Sequence, residues 1–440
     1  MDKNVNNDRM EKIISLSKRR GFIFAGSSLY GGLANSWDYG PLGTALKRNI
    51  AAAWWHRFVT SRADMVGIDP ATIMNPKVWE ASGHLAEFTD PLVECMNCHE
   101  RFREDHLTGV KRACPHCGSE KLTPSKKFNL LFKTFLGPVE DTSATAYLRG
   151  EIAQAMFVNF KNVLDTSRVK LPFGIAAQGK VFRNEITPGN FIFRTREFDL
   201  MEFEYFVRPD AWEKWFEYWL GEMKEWLREL GVRDEHLHFH DIPEGERAHY
   251  SKRTVDVEYH YPFGRKELYG LAYRTDFDLK RHMEKSGEDL RYTDPETGEK
   301  FLPHVVEPSF GLDRSVLVAL LEAYAEEGER VVLKLPPRLA PYKAAMFPLL
   351  ANKPELVKKA REIYLSFVAD SLSFGPIAWD DRGNIGKRYY SQDEIGTPYC
   401  ITVDFDSLEK DDVTVRNRDT MKQERVKIAE LASFLRKQVY

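Results

Sequence analysis

Four of the five cysteines form two closely spaced pairs that could hold a metal ion. The pairs are Cys95 with Cys98 and Cys114 with Cys117, separated by 15 residues. Two pairs at this spacing can supply the four thiolates of a tetrahedral structural zinc site. A disulfide pair or free thiols are the alternatives, and a cytoplasmic setting disfavours disulfides. Three histidines nearby could replace one thiolate: His99, His106 and His116.

A strand–turn–strand pattern over residues 180–207 carries the second chemically active set. Alternate residues of a strand share a face, so one face should carry Phe198, Leu200, Glu202 and Glu204, while Arg183 and Glu185 alternate on the first strand. Such a face favours a wet ligand surface over a core. The guanidinium of Arg183 suits a phosphate, the carboxylate of Glu185 an amine edge, and the ring of Phe198 a stacked base. A solvated sheet face with incidental ion pairs is the alternative.

A third pattern leads from a strand into an apolar helix over residues 307–314, EPSFGLDR. An arginine at such a junction, next to a glycine that lets a ligand approach the backbone, suits phosphate binding. The run Gly383–Lys387 is too short for a phosphate loop, and the glycines at 26, 31 and 32 do not form a dinucleotide fingerprint.

Composition sets limits on the class of protein. The chain has 440 residues, 43% hydrophobic and 29% charged, which excludes collagen-like, disordered and disulfide-scaffold proteins and suits two or three domains. No apolar stretch of about 18 residues and no secretory signal are visible, so we expect a soluble cytoplasmic protein without membrane contact. Because the net charge is -3, any contact with nucleic acid must use local patches.

The helices and strands predicted to position these residues indicate an α+β protein. Helices are predicted up to Gly21, from Pro41 to about residue 59, at 151–160, at 211–230 and at 315–327, the last ending at Gly328. The aromatic stripe of 211–230 is more typical of packing than of a ligand site. Strands at 254–261, 266–273 and 303–309 predict a mainly antiparallel sheet. The proline-rich run 335–341 predicts a domain boundary, followed by a small α/β domain.

Several of these segments resemble a known family. FRNE (182–185), REF (196–198) and GLDR (311–314) resemble motifs 2 and 3 of class II aminoacyl-tRNA synthetases, and the class I signatures are absent. Five segments resemble the dimeric glycyl-tRNA synthetase family specifically: residues 37–43, 79–91, 149–160, 178–188 and 305–314. Residues 386–404 and 414–423 resemble the anticodon-binding domain that it shares with the histidyl, threonyl and prolyl enzymes. Two departures are Ser309, where motif 3 usually opens with glycine, and Arg-Gly rather than Arg-Pro before Glu151.

The resemblance implies a class II catalytic domain over residues 1–340 with an antiparallel sheet, a zinc-ribbon-like insertion at 92–120 and a helical insertion at 207–250. Residues 341–440 would form an α/β anticodon-binding domain. The implied reaction is the ATP-dependent ligation of glycine to tRNA(Gly) through glycyl-adenylate, by a homodimer whose helix 41–59 packs at the twofold interface. Basic residues within 413–428 are expected to face the anticodon stem, with a solvated face as the alternative: Arg416, Arg418, Lys422, Arg425 and Lys427.

The resemblance also implies roles for single residues. Arg183 would hold the α-phosphate and Arg314 the γ-phosphate, and Glu267 would bind Mg²⁺ that bridges the phosphates. The implied ATP-binding residues are Arg183, Asn184, Glu185, Phe193, Arg194, Thr195, Arg196, Glu197, Phe198, Glu267, Leu268, Gly311, Leu312, Asp313 and Arg314. The implied glycine-binding residues are Arg103, Glu151, Phe198, Asp199, Leu200, Met201, Glu202, Glu307, Pro308, Ser309, Phe310 and Gly311. The implied zinc ligands are Cys95, Cys98, Cys114 and Cys117.

Selection of glycine would depend on its ammonium group and on steric exclusion. Glu151, Glu202 and Glu307 would form an acidic cage, and Ser309 would block a methyl group. Two alternatives remain. A synthetase for serine, threonine or proline is disfavoured by the carboxylates with Ser309. A non-catalytic binding subunit is disfavoured because both Arg183 and Arg314 are present.

Overall fold

The structure, a computed structural model, describes residues 3–107, 112–370 and 374–439. The helices are α1 (Lys3–Arg20), α2 (Pro41–Trp55), α3 (Pro76–Ala81), α4 (His84–Glu87), α5 (Ala153–Val158), α6 (Phe160–Ser167), α7 (Trp212–Glu229), α8 (Phe277–Ser286), α9 (Leu312–Ala323), α10 (Pro354–Ala369), α11 (Ile385–Glu394), α12 (Phe405–Lys410) and α13 (Ile428–Val439). A π-helical turn, His56–Thr60, follows α2. Among the described residues, no helix has the length and apolar character needed to cross a membrane.

The strands up to residue 340 are β1 (Ile23–Ala25), β2 (Trp37–Tyr39), β3 (Met65–Gly67), β4 (Thr89–Glu94), β5 (Arg101–Arg103), β6 (Lys126–Asn129), β7 (Lys133–Phe135), β8 (Thr145–Tyr147), β9 (Phe173–Phe182), β10 (Glu197–Val207), β11 (Leu237–Asp241), β12 (Arg253–Tyr261), β13 (Gly264–Thr275), β14 (Tyr292–Thr293), β15 (Lys300–Phe301), β16 (His304–Gly311), β17 (Tyr324–Glu327) and β18 (Arg330–Leu333). The C-terminal strands are β19 (Ala344–Pro348), β20 (Ile377–Trp379), β21 (Tyr399–Val403), β22 (Asp412–Asn417) and β23 (Gln423–Lys427).

A seven-stranded sheet forms the centre of the N-terminal part, in the order β11-β12-β13-β16-β10-β9-β3. Its neighbours are antiparallel except for the pair β3 and β9. This confirms the predicted mainly antiparallel α+β architecture. The register places Ser309 of β16 between Glu202 of β10 and Gly270 of β13, and Glu307 opposite Ala272. Polar residues far apart in sequence therefore meet on the central strands.

The two faces of β10 differ as the alternation predicts. Met201, Phe203 and Tyr205 enter a large hydrophobic core beneath α2, α7 and α9. The helix α7 contributes its aromatic stripe to this core, with Trp219 at 4.6 Å from Phe203 between ring centroids. The stripe therefore packs, as predicted. On the opposite face Glu204 is 0% exposed and lines no cleft described below, so the prediction of a wet surface is wrong for this residue. Glu202 is 2% exposed but lines a cleft.

Two predicted boundaries are wrong. The strand β9 ends at Phe182, and Arg183 and Glu185 lie in the loop beyond it, because the backbone N–H of Asn184 leaves the ladder and donates to Leu130 O at 2.7 Å. The predicted helix 315–327 ends at Ala323. Residues 324–333 form a hairpin instead, in which Glu327 pairs with Arg330 and Gly328 takes a positive φ of 63° at the turn.

The C-terminal part has its own five-stranded sheet, in the order β20-β19-β21-β22-β23, and a separate hydrophobic core. The run 335–341 is packed rather than exposed, since Leu335 and Leu339 are fully buried.

Asp393 of α11 binds Arg330 at 3.0 Å and Arg416 at 2.8 Å. Arg418 donates to Leu335 O at 2.9 Å. Arg416 and Arg418 are therefore buried across the boundary, and the prediction that they face the anticodon stem is wrong.

Candidate active site

A cleft lies where the loop after β9, the strands β10, β13 and β16 and the start of α9 meet. It is lined by Arg183, Glu185, Ile192, Phe193, Arg194, Thr195, Phe198, Asp199, Leu200, Glu267, Leu268, Tyr269, Ser309, Gly311, Asp313 and Arg314. Most residues predicted to bind ATP are thus brought together. Arg196 and Glu197 line an adjoining cleft, while Asn184 and Leu312 line neither of the two. Leu312 enters the hydrophobic core.

Two arginines, Arg183 and Arg314, line this cleft. The guanidinium of Arg183 lies 5.3 Å from the ring centroid of Phe88 and 5.4 Å from that of Phe198, and its Nε donates to Gly150 O at 3.0 Å. The terminal nitrogens make no ion pair within the described residues. They remain available to an anion, and the ring of Phe198 on which the guanidinium lies can also stack on a planar base.

The second arginine, Arg314, is fixed at the first turn of α9. Its guanidinium lies 4.5 Å from the ring centroid of Phe193, and it donates to Glu267 O at 2.9 Å and pairs with the Glu267 carboxylate at 3.2 Å. The Glu185 carboxylate has one buried oxygen that accepts no hydrogen bond within the described residues. A buried acceptor that faces a cleft in this way is suited to an N–H donor of a ligand.

A second cleft shares Arg183, Glu267 and Ser309 with the first, and it holds the carboxylates. Glu151, Glu202 and Glu307 all line it, as the acidic cage requires. Glu202 accepts hydrogen bonds from Ile152 N at 2.9 Å and from the Ser309 hydroxyl at 2.7 Å. The two clefts thus form one continuous site with an arginine-rich end and an acidic end.

A buried arginine that sequence reasoning missed holds the acidic end together. Arg274 of β13 is 0% exposed and donates to Glu307 at 2.8 Å and to both oxygens of Asp278 at 2.8 and 2.9 Å. Its guanidinium lies 3.7 Å from Glu151 Oε1 and 3.7 Å from the ring centroid of Tyr250. The only available signal was an arginine at the end of a predicted strand, which is common at protein surfaces.

The carboxylates of this end titrate in opposite directions. Burial, opposed by Arg274 and assisted by repulsion from Glu151 and Glu202, raises the pKa of Glu307 to about 8. Burial and the charge of Glu151 also raise the pKa of Glu202. Burial favours the neutral form of Glu151 too, but His84 and Arg274 outweigh it and hold its pKa well below the usual range. A cation placed beside Glu202 and Glu307 would therefore favour their ionised forms.

Other predicted glycine-binding residues point elsewhere. The side chains of Met201 and Phe310 lie in the core on the other face of the sheet, so only their backbone can meet a ligand here. Arg103 lines neither cleft and pairs with Asp90 at 2.9 Å and Asp105 at 2.7 Å.

Lys47 of α2 supports one wall of the first cleft. Its Nζ lies 2.6 Å from Asp199 Oδ2 and 2.8 Å from Asp313 Oδ1, and Tyr39 also donates to Asp313. The other oxygen of Asp313 accepts the backbone N–H of Asp199 at 2.6 Å. Asp199 and Asp313 therefore join α2, β10 and α9, and their carboxylates are already engaged.

The four paired cysteines converge at the end of β4. Their sulfur atoms all lie within 4.8 Å of one another, and Cys95 and Cys117, like Cys98 and Cys114, are 3.6 Å apart. Four thiolates at about 2.3 Å from one zinc ion require nearly this spacing. Each pair closes the same turn, with His99 N donating to Cys95 O and Gly118 N to Cys114 O. The donor set fits zinc; His99 instead contacts Glu94.

Comparison with known proteins identifies both parts of the chain. Residues 138–324 match the family described as tRNA synthetase class II core domain (G, H, P, S and T), and residues 343–438 match the anticodon binding domain family. The glycine–tRNA ligase of Alkaliphilus oremlandii is 51% identical, with 97% of each chain covered, and that of Clostridium acetobutylicum is 51% identical over 98% of each. The glycine–tRNA ligase of Geobacillus thermodenitrificans is 50% identical, over 98% of this chain and 97% of its own. With identity at this level along nearly the whole sequence, and a site built from the same class II elements, the chain belongs to the glycine–tRNA ligase family.

Proposed function

We propose that this chain ligates glycine to tRNA(Gly) in two steps, with ATP as the energy source and glycyl-adenylate as the intermediate. The observation that carries the proposal is the continuous site with an arginine-rich end and an end that holds three buried carboxylates. The first end suits a polyanion with a stacked base. The second suits an ammonium group with no side chain beside it.

In the first step the glycine carboxylate attacks the α-phosphorus of ATP in line. A bond forms between a carboxylate oxygen and phosphorus, and the bond from phosphorus to the pyrophosphate oxygen breaks. The carboxylate is already a nucleophile, so the protein contributes position and charge rather than a general base. Arg183 would contact the α-phosphate, and Arg314 the γ-phosphate while covering the adenine. In the second step a hydroxyl of the terminal ribose of the tRNA attacks the carbonyl carbon, and AMP leaves.

Mg²⁺ would accompany the ATP phosphates at the carboxylate of Glu267, as the family resemblance implies. A second carboxylate, that of Asp256 of β12, lines the acidic cleft together with Glu267. Burial and the neighbouring carboxylates of Glu267 and Glu258 raise the pKa of Asp256 to about 7, so a cation next to it would be favourable. Oxygen donors of this kind fit Mg²⁺, which would supply positive charge to the phosphates.

Zinc is proposed for the four cysteines, where it would stabilise the small sheet β5-β4-β6. Division into a catalytic part, residues 1–340, and an anticodon-binding part, residues 341–440, is supported by the separate hydrophobic cores. We further propose a cytoplasmic homodimer. Leu29, Tyr30 and Leu33 next to β1 are strongly exposed apolar residues that a twofold partner would cover.

The roles of the two arginines can be tested by ATP–pyrophosphate exchange with glycine. Arg183→Ala and Arg314→Ala should each lower the exchange rate by about 10²-fold or more, since each removes charge that the transition state needs. Circular dichroism should show an unchanged fold. The control is Arg291→Ala, because Arg291 is exposed and, within the described residues, its side chain bonds only Asp289. Wild-type exchange in either active-site variant would contradict the placement of ATP.

Exclusion of alanine can be tested at Ser309. Ser309→Gly removes both the methylene and the hydroxyl, so relative activity with alanine should rise about 10-fold for the added space. Ser309→Ala keeps the methylene but removes the hydrogen bond to Glu202. It should weaken use of glycine without improving use of alanine. Exchange kinetics with both amino acids measure the effect. If Ser309→Gly discriminates like the wild type, the wall against a methyl group lies elsewhere.

Metal content tests the zinc proposal. Elemental analysis of the purified chain should find about one zinc per chain, because four thiolates complete one tetrahedral shell. Cys114→Ser should lower the zinc content and the melting temperature. Cys400→Ser, at the buried cysteine outside the cluster, should keep its zinc. A fully active protein without zinc would refute this assignment.

A further inference from the structure

Three buried side chains form a hydrogen-bonded chain behind the acidic end of the site. His282 of α8 approaches Gln154 of α5, with Nε2 at 2.8 Å from the amide oxygen. The Gln154 amide nitrogen donates to Glu151 Oε1 at 3.0 Å and to Asp278 Oδ1 at 2.8 Å. Gln154 is 0% exposed and His282 6%. None of the roles assigned above uses either residue.

The chemistry of the donors fixes the direction of this chain. Ionised carboxylates only accept hydrogen bonds, so the amide group that faces Glu151 and Asp278 must be the NH2 group of Gln154. The amide oxygen then faces His282 and needs a donor. His282 must therefore carry a proton on Nε2, because a lone pair there would face the lone pairs of the amide oxygen.

One amide consequently holds two carboxylates: Glu151, which lines the acidic cleft, and Asp278, which does not line it but binds Arg274. Glu151 is held by Gln154 through Oε1 and by His84 through Oε2 at 3.2 Å. Asp278 receives the second amide N–H and, in turn, the fork of Arg274. If the amide rotated, its oxygen would meet a carboxylate and both contacts would be lost. The Nε2–H of His282 opposes this rotation together with the two carboxylates, because it holds the amide oxygen on the opposite side.

We propose that His282 is a positioning residue for glycine, which acts through Gln154 to hold Glu151, a carboxylate that lines the acidic cleft, in the orientation that receives the ammonium group. The inference rests on the proposed function and assigns a further specificity-determining residue to the same site. His282 makes no contact with Arg183, Arg314 or Glu267, so it should affect glycine and leave ATP unaffected.

Two substitutions at one position separate this role from general packing. In His282→Gln the side-chain NH2 group can reach the place of Nε2, whereas in His282→Asn it ends one bond short, near the place of Nδ1. Both variants are polar and neutral and should have closely similar melting temperatures. ATP–pyrophosphate exchange should give a KM for glycine about 10-fold higher in His282→Asn and within about twofold of wild type in His282→Gln. The KM for ATP should stay within about twofold in both.

A double-mutant cycle tests the route through Gln154. Gln154→Leu alone should raise the KM for glycine, and His282→Asn should add less than about twofold to it, because the contact is already lost. Lys285→Met is the matched control on α8, since Lys285 forms a surface pair with Glu80, and it should match the wild type.

Equal effects of Asn and Gln at position 282, equal shifts in both KM values, or additive effects with Gln154→Leu would each overturn the inference while leaving the proposed function intact. Absence of glycine-dependent exchange in the wild-type chain would overturn both.

Discussion

A single guanidinium surrounded by carboxylates, that of Arg274, is the interaction on which the site depends. A fully buried charge is tolerated only when it is paired and hydrogen-bonded, and Arg274 is paired with Asp278 and Glu307 and stacked on Tyr250. The acidic groups around it exceed its one positive charge. Burial and mutual repulsion therefore keep Glu202, Glu204 and Glu307 above their usual pKa. We interpret this surplus as the feature that recognises a small cation rather than as a source of stability.

Several elements of the fold together hold Arg274 and the surrounding carboxylates in place. The carboxylates and the arginine come from β10, β13, β16, α8 and the segment before α5, and the antiparallel register brings Glu202 and Glu307 onto one face of the sheet. The opposite face is filled by aromatic packing around Phe203, Trp219 and Phe310, which leaves the central strands little freedom to shift. Lys47 then joins the arginine-rich end to α2 through Asp199 and Asp313. Each end of the site is thus fixed by a cation from another element.

Sequence reasoning predicted the parts of the molecule that follow from local pattern. Alternation on β10, the cysteine spacing, the antiparallel sheet and the stripe of α7 depend on neighbours in sequence, and the structure bears them out. Sequence reasoning failed where the environment of a side chain depends on residues that are far away in sequence. The burial of Glu202 and Glu204 needs the cover of other elements, and Arg274, Gln154 and His282 gain their roles only through contacts between elements. Arg416 and Arg418 looked like a basic surface because their partners lie far away in sequence. Arg416 pairs with the buried Asp393, and Arg418 donates to the backbone oxygens of Gly396 and Leu335.

Proton release on glycine binding is the most direct measurement of the central claim. Because burial raises the pKa of Glu307 to about 8, we expect its carboxyl to be protonated at pH 7 in the free protein and ionised next to an ammonium group. Titration calorimetry of glycine into the free protein, in buffers of different ionisation enthalpy, counts the protons exchanged. We expect the release of close to one proton at about pH 7, declining as the pH rises above about 8, and loss of this release in Glu307→Gln. Glycine binding without proton release across this range would contradict the account, because Glu307 would then already be ionised in the free protein.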